Sequence, residues 1–314
     1  MTATADSPDS ILPGIALMLG FCVTAPMLDV CAKLAADAQS TGQITTARFV
    51  VQAVLMAPLC LALGEPLAIR RRDLGPIALR AVLLIVSTFC FVGAVAVMPI
   101  ADALAIVFVM PFLLMYLAHA IFGDVVGPRR IAASGVAFIG VLLVIQPSLA
   151  AFGLVALLPL GTAVTFAGYM LVTRGLSRRV RPVAMQFQTA LIASLICLPV
   201  LWAAQGSGIE VLEPVMPDAL GWLWLAGVGG FAALSHLMMT YALRFAPSAT
   251  LAPLQYLEIV TATLLGLLIF DDFPDRMALA GIVVIVGAGL YLIHRERVTA
   301  RRPIATGSPP TGPV

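Results

Sequence analysis

Between Ile11 and His294 the chain is a succession of apolar stretches, each long enough to cross a bilayer and joined by short polar connections. A spanning helix needs roughly 20 mostly apolar residues. Ten stretches meet that requirement: about 11–37, 43–63, 75–98, 100–122, 129–146, 151–177, 183–204, 218–245, 247–270 and 276–294. In hydrocarbon a backbone must satisfy its own hydrogen bonds, so apolar runs of this length are helices. The expected fold class is an all-α polytopic membrane protein with ten transmembrane helices. Composition agrees: 61% of residues are hydrophobic and 11% charged, where a soluble domain is about a quarter charged. A net charge of +2 does not supply the clustered basic face of a nucleic-acid binder. Cys22, Cys31, Cys60, Cys90 and Cys197 lie inside apolar stretches without CxxC spacing, so they read as small hydrophobes rather than metal ligands. Residues 1–10 hold two aspartates and no Lys or Arg. They therefore lack the basic start of a cleaved signal peptide, and the first apolar stretch is expected to be retained.

Basic residues set an orientation. Connections on one side hold Arg70, Arg71 and Arg72, then Arg129 and Arg130, then Arg178, Arg179 and Arg181. The C-terminal tail adds Arg295, Arg297, Arg301 and Arg302. Opposite connections hold essentially Arg276 beside Glu210, Glu213, Asp218, Asp271, Asp272 and Asp275. Under the positive-inside rule both termini are cytoplasmic, in a cell inner membrane. Shifting the helix count by one would scramble this asymmetry. Residues 1–10 and 296–314 are expected as cytoplasmic tails, the second rich in Pro, Gly, Ser and Thr and disordered.

The chain also repeats itself. Residues 97–122 and 245–270 match at an offset of 148, with Pro99 on Pro247, Ala101 on Ala249 and Phe122 on Phe270. Gly140 falls on Gly287 with one residue deleted between. Repeats over 11–147 and 148–295 would each hold five helices, an odd number, so the second must enter the membrane inverted. Inverted repeats are an architecture of secondary transporters, with the site near the midplane between halves.

Charges inside a membrane mark functional sites by default. Asp29 and Lys33 stand four apart on the first helix, on one face and able to pair. At 1.5 Å per residue they lie about 12 Å and 6 Å below the outer surface, with Arg48 at about 7 Å on the second helix. Glu258 is about 16 Å deep on the ninth, with Gln255 and Tyr256 just before it. His236 is near mid-depth on the eighth helix. The plainer alternatives are a structural ion-pair cluster around Asp29, a protonated Glu258 bonded to backbone, and a histidine joining two helices. Asp102 reads as a helix start and His119 as interfacial. In the repeat register Lys33 falls on Arg174, Arg48 on Gln188, Asp29 on Met170 and Glu258 on Met110. Symmetry thus breaks at the two carboxylates, which points to them as site residues. Pro26, Pro58, Pro111, Pro159, Pro199 and Pro253 interrupt helices, freeing carbonyls that a wet cavity can satisfy. Walker, HExxH, GxGxxG and serine-elbow motifs are absent. The chain is therefore not expected to be an enzyme or to use a cofactor.

Several of these residues also carry a likeness to a known family. Residues 246–297 (APSATLAPLQYLEIVTATLLGLLIFDDFPDRMALAGIVVIVGAGLYLIHRER), preceded by His236, resemble the second half of EamA-type transporters of the drug/metabolite transporter superfamily. PMLDVCAKLAA, TTARF and PIADALAIVFVMPFL are similar to the first half. One departure is Asp271-Asp272, where many relatives have Gly-Glu. The resemblance covers about residues 11–297 and implies ten helices in two repeats that carry small metabolites. The expected function is alternating-access transport of an amino acid or related zwitterion, proton-coupled or facilitative, with export favoured. Asp29 or Glu258 would face the substrate's ammonium, and Lys33 or Arg48 its carboxylate. Phe91, Tyr169, Tyr241 and Tyr256 would line the cavity, beside His236 and Gln255, and Glu258 and Asp29 would couple protons. An importer of a cofactor-like metabolite, such as riboflavin or S-adenosylmethionine, is the alternative, and a non-transporting membrane scaffold or sensor is another from a different class. Expected partners are the small-molecule substrate and membrane lipid, with a homodimer left open and nucleic acid excluded.

Overall fold

The computed structural model describes residues 8–122, 128–176, 179–245, 254 and 257–300. Among these residues the secondary structure is helix and turn, without strand. The helices are α1 (Pro8–Ala36), α2 (Thr41–Ala62), α3 (Arg71–Val95), α4 (Ile100–Val107), α5 (Met110–Phe122), α6 (Pro128–Phe152), α7 (Leu158–Leu176), α8 (Pro182–Ala203), α9 (Ala219–Phe245), α10 (Leu257–Phe270) and α11 (Arg276–Ala300). Six described stretches are long and apolar enough to cross a membrane, and α10 and Arg276–Ala288 are shorter apolar helices. One of the six, Ile131–Thr173, runs through 43 residues, about 65 Å if it were a single helix. Gly153 breaks it: its φ of 64° is the left-handed conformation that glycine adopts without strain. A short 3-10 turn then leads into α7.

Local chemistry accounts for most boundaries. Ser40 caps α2 by accepting the Gln43 amide at 3.2 Å, and Pro182 opens α8 at its first turn. The expected single helix over 100–122 is broken at Phe108 and Val109. Pro111 brings no backbone N–H to continue the ladder, and Phe112 and Leu113 both bond back to the Val109 carbonyl. At the chain ends the expected limits shift, since α1 starts at Pro8 and α11 runs to Ala300. The expected tails over 1–7 and 301–314 lie outside the described residues, as do 247–253 of the expected ninth helix. Asp271, where the likeness has glycine, ends α10 at φ 55°.

Packing follows a pattern that survives exchange of the two halves. Substituting α7 for α1, α8 for α2, α9 for α3, α10 for α4–α5 and α11 for α6 converts each major contact into another. The α1–α9 contact becomes α7–α3, α2–α9 becomes α8–α3, and α1–α10 becomes α7–α5. Pairs α2–α8, α4–α10 and α6–α11 map onto themselves. Side chains such as Leu61, Val164, Leu195 and Leu268 remain exposed on the outside, as a lipid-facing surface requires.

Lipid is as apolar as leucine, so helices in it associate by close packing of small residues. The α6–α11 crossing shows this: a Cβ on Gly281 would lie 2.6 Å from the Gly140 carbonyl oxygen. Gly281→Ala is therefore expected to lower stability by about 1–3 kcal/mol, read as a lower melting temperature in detergent. Gly287→Ala, whose Cβ would meet nothing within 4 Å, should leave melting unchanged or slightly raised.

Candidate functional site

A cavity of about 410 Å³ lies between the halves, lined from α1, α2, α3, α7, α9, α10 and the α4–α5 break. Its polar wall includes Asp29, Arg48, Ser87, Thr88, Thr162, Ser235, His236 and Glu258. Its apolar wall includes Phe21, Phe91, Phe108 and Phe166.

Arg48 organises the polar side. It is 4% exposed, and its Nη1 donates a short hydrogen bond to the Thr88 hydroxyl. Its Nη2 stands 3.2 Å from His236 Nε2. A guanidinium only donates, so Nε2 must accept and the neutral ring carries its proton on Nδ1. That Nδ1 and the Arg48 Nε are buried and make no hydrogen bond among the described residues. Two donors thus stand unsatisfied beside the cavity, where a ligand's carboxylate or carbonyl would complete them. Asp29 faces Arg48 within electrostatic reach, and Glu258 lies close enough to Asp29 for the two to repel.

Of the residues singled out from the sequence, Asp29, Arg48, Phe91, His236 and Glu258 line this one cavity. Tyr169 stands behind it, stacked on Phe166 at 5.1 Å and edge-on to His236 at 6.5 Å. Lys33 does not pair with Asp29. It reaches Asp272 at 2.5 Å and the Met98 carbonyl at 3.2 Å, over the Phe270 ring. Tyr241 packs with the apolar cluster around Met56, Cys60 and Val183. Gln255 and Tyr256 lie outside the described residues.

Sequence reasoning passed over Arg80, which is 1% exposed on α3. It donates to Thr173 at 2.8 Å, to the Met185 carbonyl at 3.3 Å, to Tyr169 at 2.5 Å and to Thr189. Its guanidinium also stacks over the Tyr169 ring at 4.3 Å. The run Arg80–Tyr169–His236–Arg48 therefore links four helices behind the cavity.

The lining repeats itself as the helix packing does. Ser87 and Ser235, Thr88 and His236, Phe91 and Met239, and Met110 and Glu258 are each 148 residues apart, and every one of them lines the cavity. Phe21 and Thr162, Ala25 and Phe166, and Asp29 and Met170 do the same at 141. Arg48 is held by Thr88 and His236, the same position in the two halves. A model of the EamA-like transporter family matches residues 12–146 and 153–294, one match to each half. The chain belongs to the EamA-like transporter family. Its two halves are the family's two repeats, and the chain is a multi-pass membrane transporter rather than an enzyme.

Relatives are similar over most of their length. A riboflavin transporter of Brucella anthropi is 28% identical over 81% of this chain and 88% of its own. An S-adenosylmethionine uptake transporter of Rickettsia prowazekii is 24% identical over 93% and 96%. A pseudopaline exporter of Pseudomonas aeruginosa is 25% identical over 92% and 99%. A solved crystal structure covering 93% of this chain and 99% of its own superimposes with a TM-score of 0.59 at 18% identity, which shows the shared fold.

Proposed function

We propose that this EamA-like transporter carries a zwitterionic metabolite with an apolar or aromatic body, by alternating access of two inverted five-helix repeats. The observation that carries the reading is a pair of donors, Arg48 Nε and His236 Nδ1, unsatisfied among the described residues beside a phenylalanine-lined cavity that Asp29 and Glu258 also line. Arg48 and the His236 Nδ1–H take the substrate's carboxylate, and Asp29 or Glu258 takes its ammonium. The phenylalanines cover the remainder. The apolar stretches, and the packing that survives exchange of halves, support a reading of ten transmembrane helices with repeats over 11–147 and 148–295. The basic connections favour an inner membrane with both termini cytoplasmic. Net direction follows the gradients that drive the cycle, so export and uptake are two uses of one site. A cofactor-like substrate is the second reading, favoured by the riboflavin and S-adenosylmethionine names of the relatives and by the four aromatic rings.

The test is a thermal-shift screen of detergent-purified protein against amino acids, vitamins and nucleosides, since a ligand that binds the folded state raises melting. Counterflow of the hits in proteoliposomes follows. Protein that moves no such solute in either direction sinks the proposal. Glu258 supplies the proton coupling. Glutamine mimics its protonated form and cannot titrate, so Glu258→Gln is expected to give a flat pH profile of transport between pH 5 and 8. An unchanged profile removes Glu258 from the coupling.

A further inference from the structure

A second cavity, of about 240 Å³, lies at the end of the bundle where the α2–α3 connection meets the α7–α8 connection. It shares no lining residue with the central one. Arg70, Arg179 and Arg181 line it together with a single carboxylate, Asp73, a surplus of two positive charges. The three arginine side chains are exposed, while Asp73 and Gln188 are buried.

The site is built rather than a chance gathering of charge. Gln188 donates to the Pro66 and Ala68 carbonyls at 3.3 and 3.0 Å, and the Glu65 carboxylate accepts the Ala184 amide at 2.8 Å. Together they pin the α2–α3 connection against the start of α8 and fix the shape of the cavity. Arg70 and Arg181 are the N-cap residues of α3 and α8, and neither side chain makes a capping bond. Among the described residues the Arg70 and Arg181 side chains have no hydrogen-bond or ion-pair partner. Asp73 is 1% exposed; its Oδ1 accepts no hydrogen bond among the described residues, and its two oxygens stand 3.6 Å from the Arg179 and Arg72 guanidiniums. Both ion pairs are long, so the buried oxygen keeps room for a hydrogen-bond donor.

We propose that this cavity binds a phosphate-bearing anion with a hydroxyl close to the phosphate, the chemistry of a phosphoglycerol headgroup. Guanidinium forks match phosphate oxygens in geometry and charge. The buried Asp73 Oδ1, without a hydrogen-bond donor among the described residues, takes the neighbouring hydroxyl, which explains a carboxylate on the floor of a basic cavity. A basic cavity between helices at a membrane face is where anionic lipid is recognised. Glycerol 3-phosphate carries the same chemistry in soluble form.

The full chain in detergent is titrated with phosphatidylglycerol, phosphatidic acid, phosphatidylcholine, glycerol 3-phosphate and inorganic phosphate, reading melting temperature and bound lipid by native mass spectrometry. Phosphatidylglycerol is expected to raise melting and to stay bound, and phosphatidylcholine to do neither. The double variant Arg70→Gln/Arg181→Gln is expected to weaken that binding roughly thirtyfold, about fivefold per guanidinium. Both side chains are exposed and have no partner among the described residues, so the variant folds, and Arg71, Arg72 and Arg179 keep the basic side basic. Asp73→Asn is expected to abolish the preference for phosphatidylglycerol over phosphatidic acid. Protection by the soluble phosphates alone, lost in the double variant, assigns the site to a free anion. Phosphatidylglycerol protection undiminished in the double variant, or no protection by any phosphate-bearing ligand, overturns the proposal.

Discussion

Arg48→Ala is expected to cut transport at least about a hundredfold while the protein still folds and elutes as the native species. A hydrogen bond to a charged carboxylate contributes about 1.5–3 kcal/mol, and the site offers two, from Arg48 Nε and from the His236 Nδ1–H that Arg48 holds in place. Losing two removes about 3–6 kcal/mol of binding, which is two decades or more. The histidine suffers as well. Without the Arg48 donor, nothing fixes which ring nitrogen carries the proton, and His236 no longer presents Nδ1–H. Arg48→Lys keeps the charge but cannot hold Thr88, His236 and a ligand at once, so it should fall between the two. Initial rates of substrate counterflow in proteoliposomes decide it, and an alanine variant within threefold of wild type would remove Arg48 from the site.

Arg80→Ala and Arg80→Met are expected to differ sharply in stability. The guanidinium makes four hydrogen bonds, together about 6–12 kcal/mol at the range for charged donors. Against that stands the desolvation of a buried charge with no carboxylate against it, several kcal/mol at least. The two nearly cancel. What remains is volume: alanine leaves a hole where a long, fully buried side chain was, costing about 2–4 kcal/mol, whereas methionine fills most of it. Thr173 and Thr189 soften either loss, since their hydroxyls already donate to the Tyr169 and Met185 carbonyls. Thermal melts should show a clear drop for alanine and a shift within about 1 kcal/mol for methionine. Equal losses in both would mean that the hydrogen bonds, not the volume, hold this junction.

Asp29, Arg48, His236 and Glu258 were legible because an ionisable group in an apolar run stands out against its surroundings, and helical rise alone gives its depth. Lys33 stands out equally, yet its partner is 239 residues away on the connection after α10. Spacing along one helix suggested Asp29 and could not reveal Asp272. Arg80 escaped notice because it follows the basic start of α3, where a long side chain reaching back to the surface is the ordinary explanation. Ser87, Thr88 and Ser235 escaped it because small hydroxyl residues are common in membrane helices and bond to their own backbone. The likeness to glycine at Asp271 acquires a cause only from the backbone, since position 271 takes a positive φ.

The Lys33–Asp272 pair ties the end of α1 to the segment beyond α10. In the repeat register Lys33 answers to Arg174 and Asp272 to Asp124, a residue outside those described. The sequence therefore carries one such cation and one such carboxylate in each half. In a carrier whose halves trade conformations, parting α1 from the segment beyond α10 would give up this attraction. Salt, which weakens partly exposed pairs, would loosen that tie.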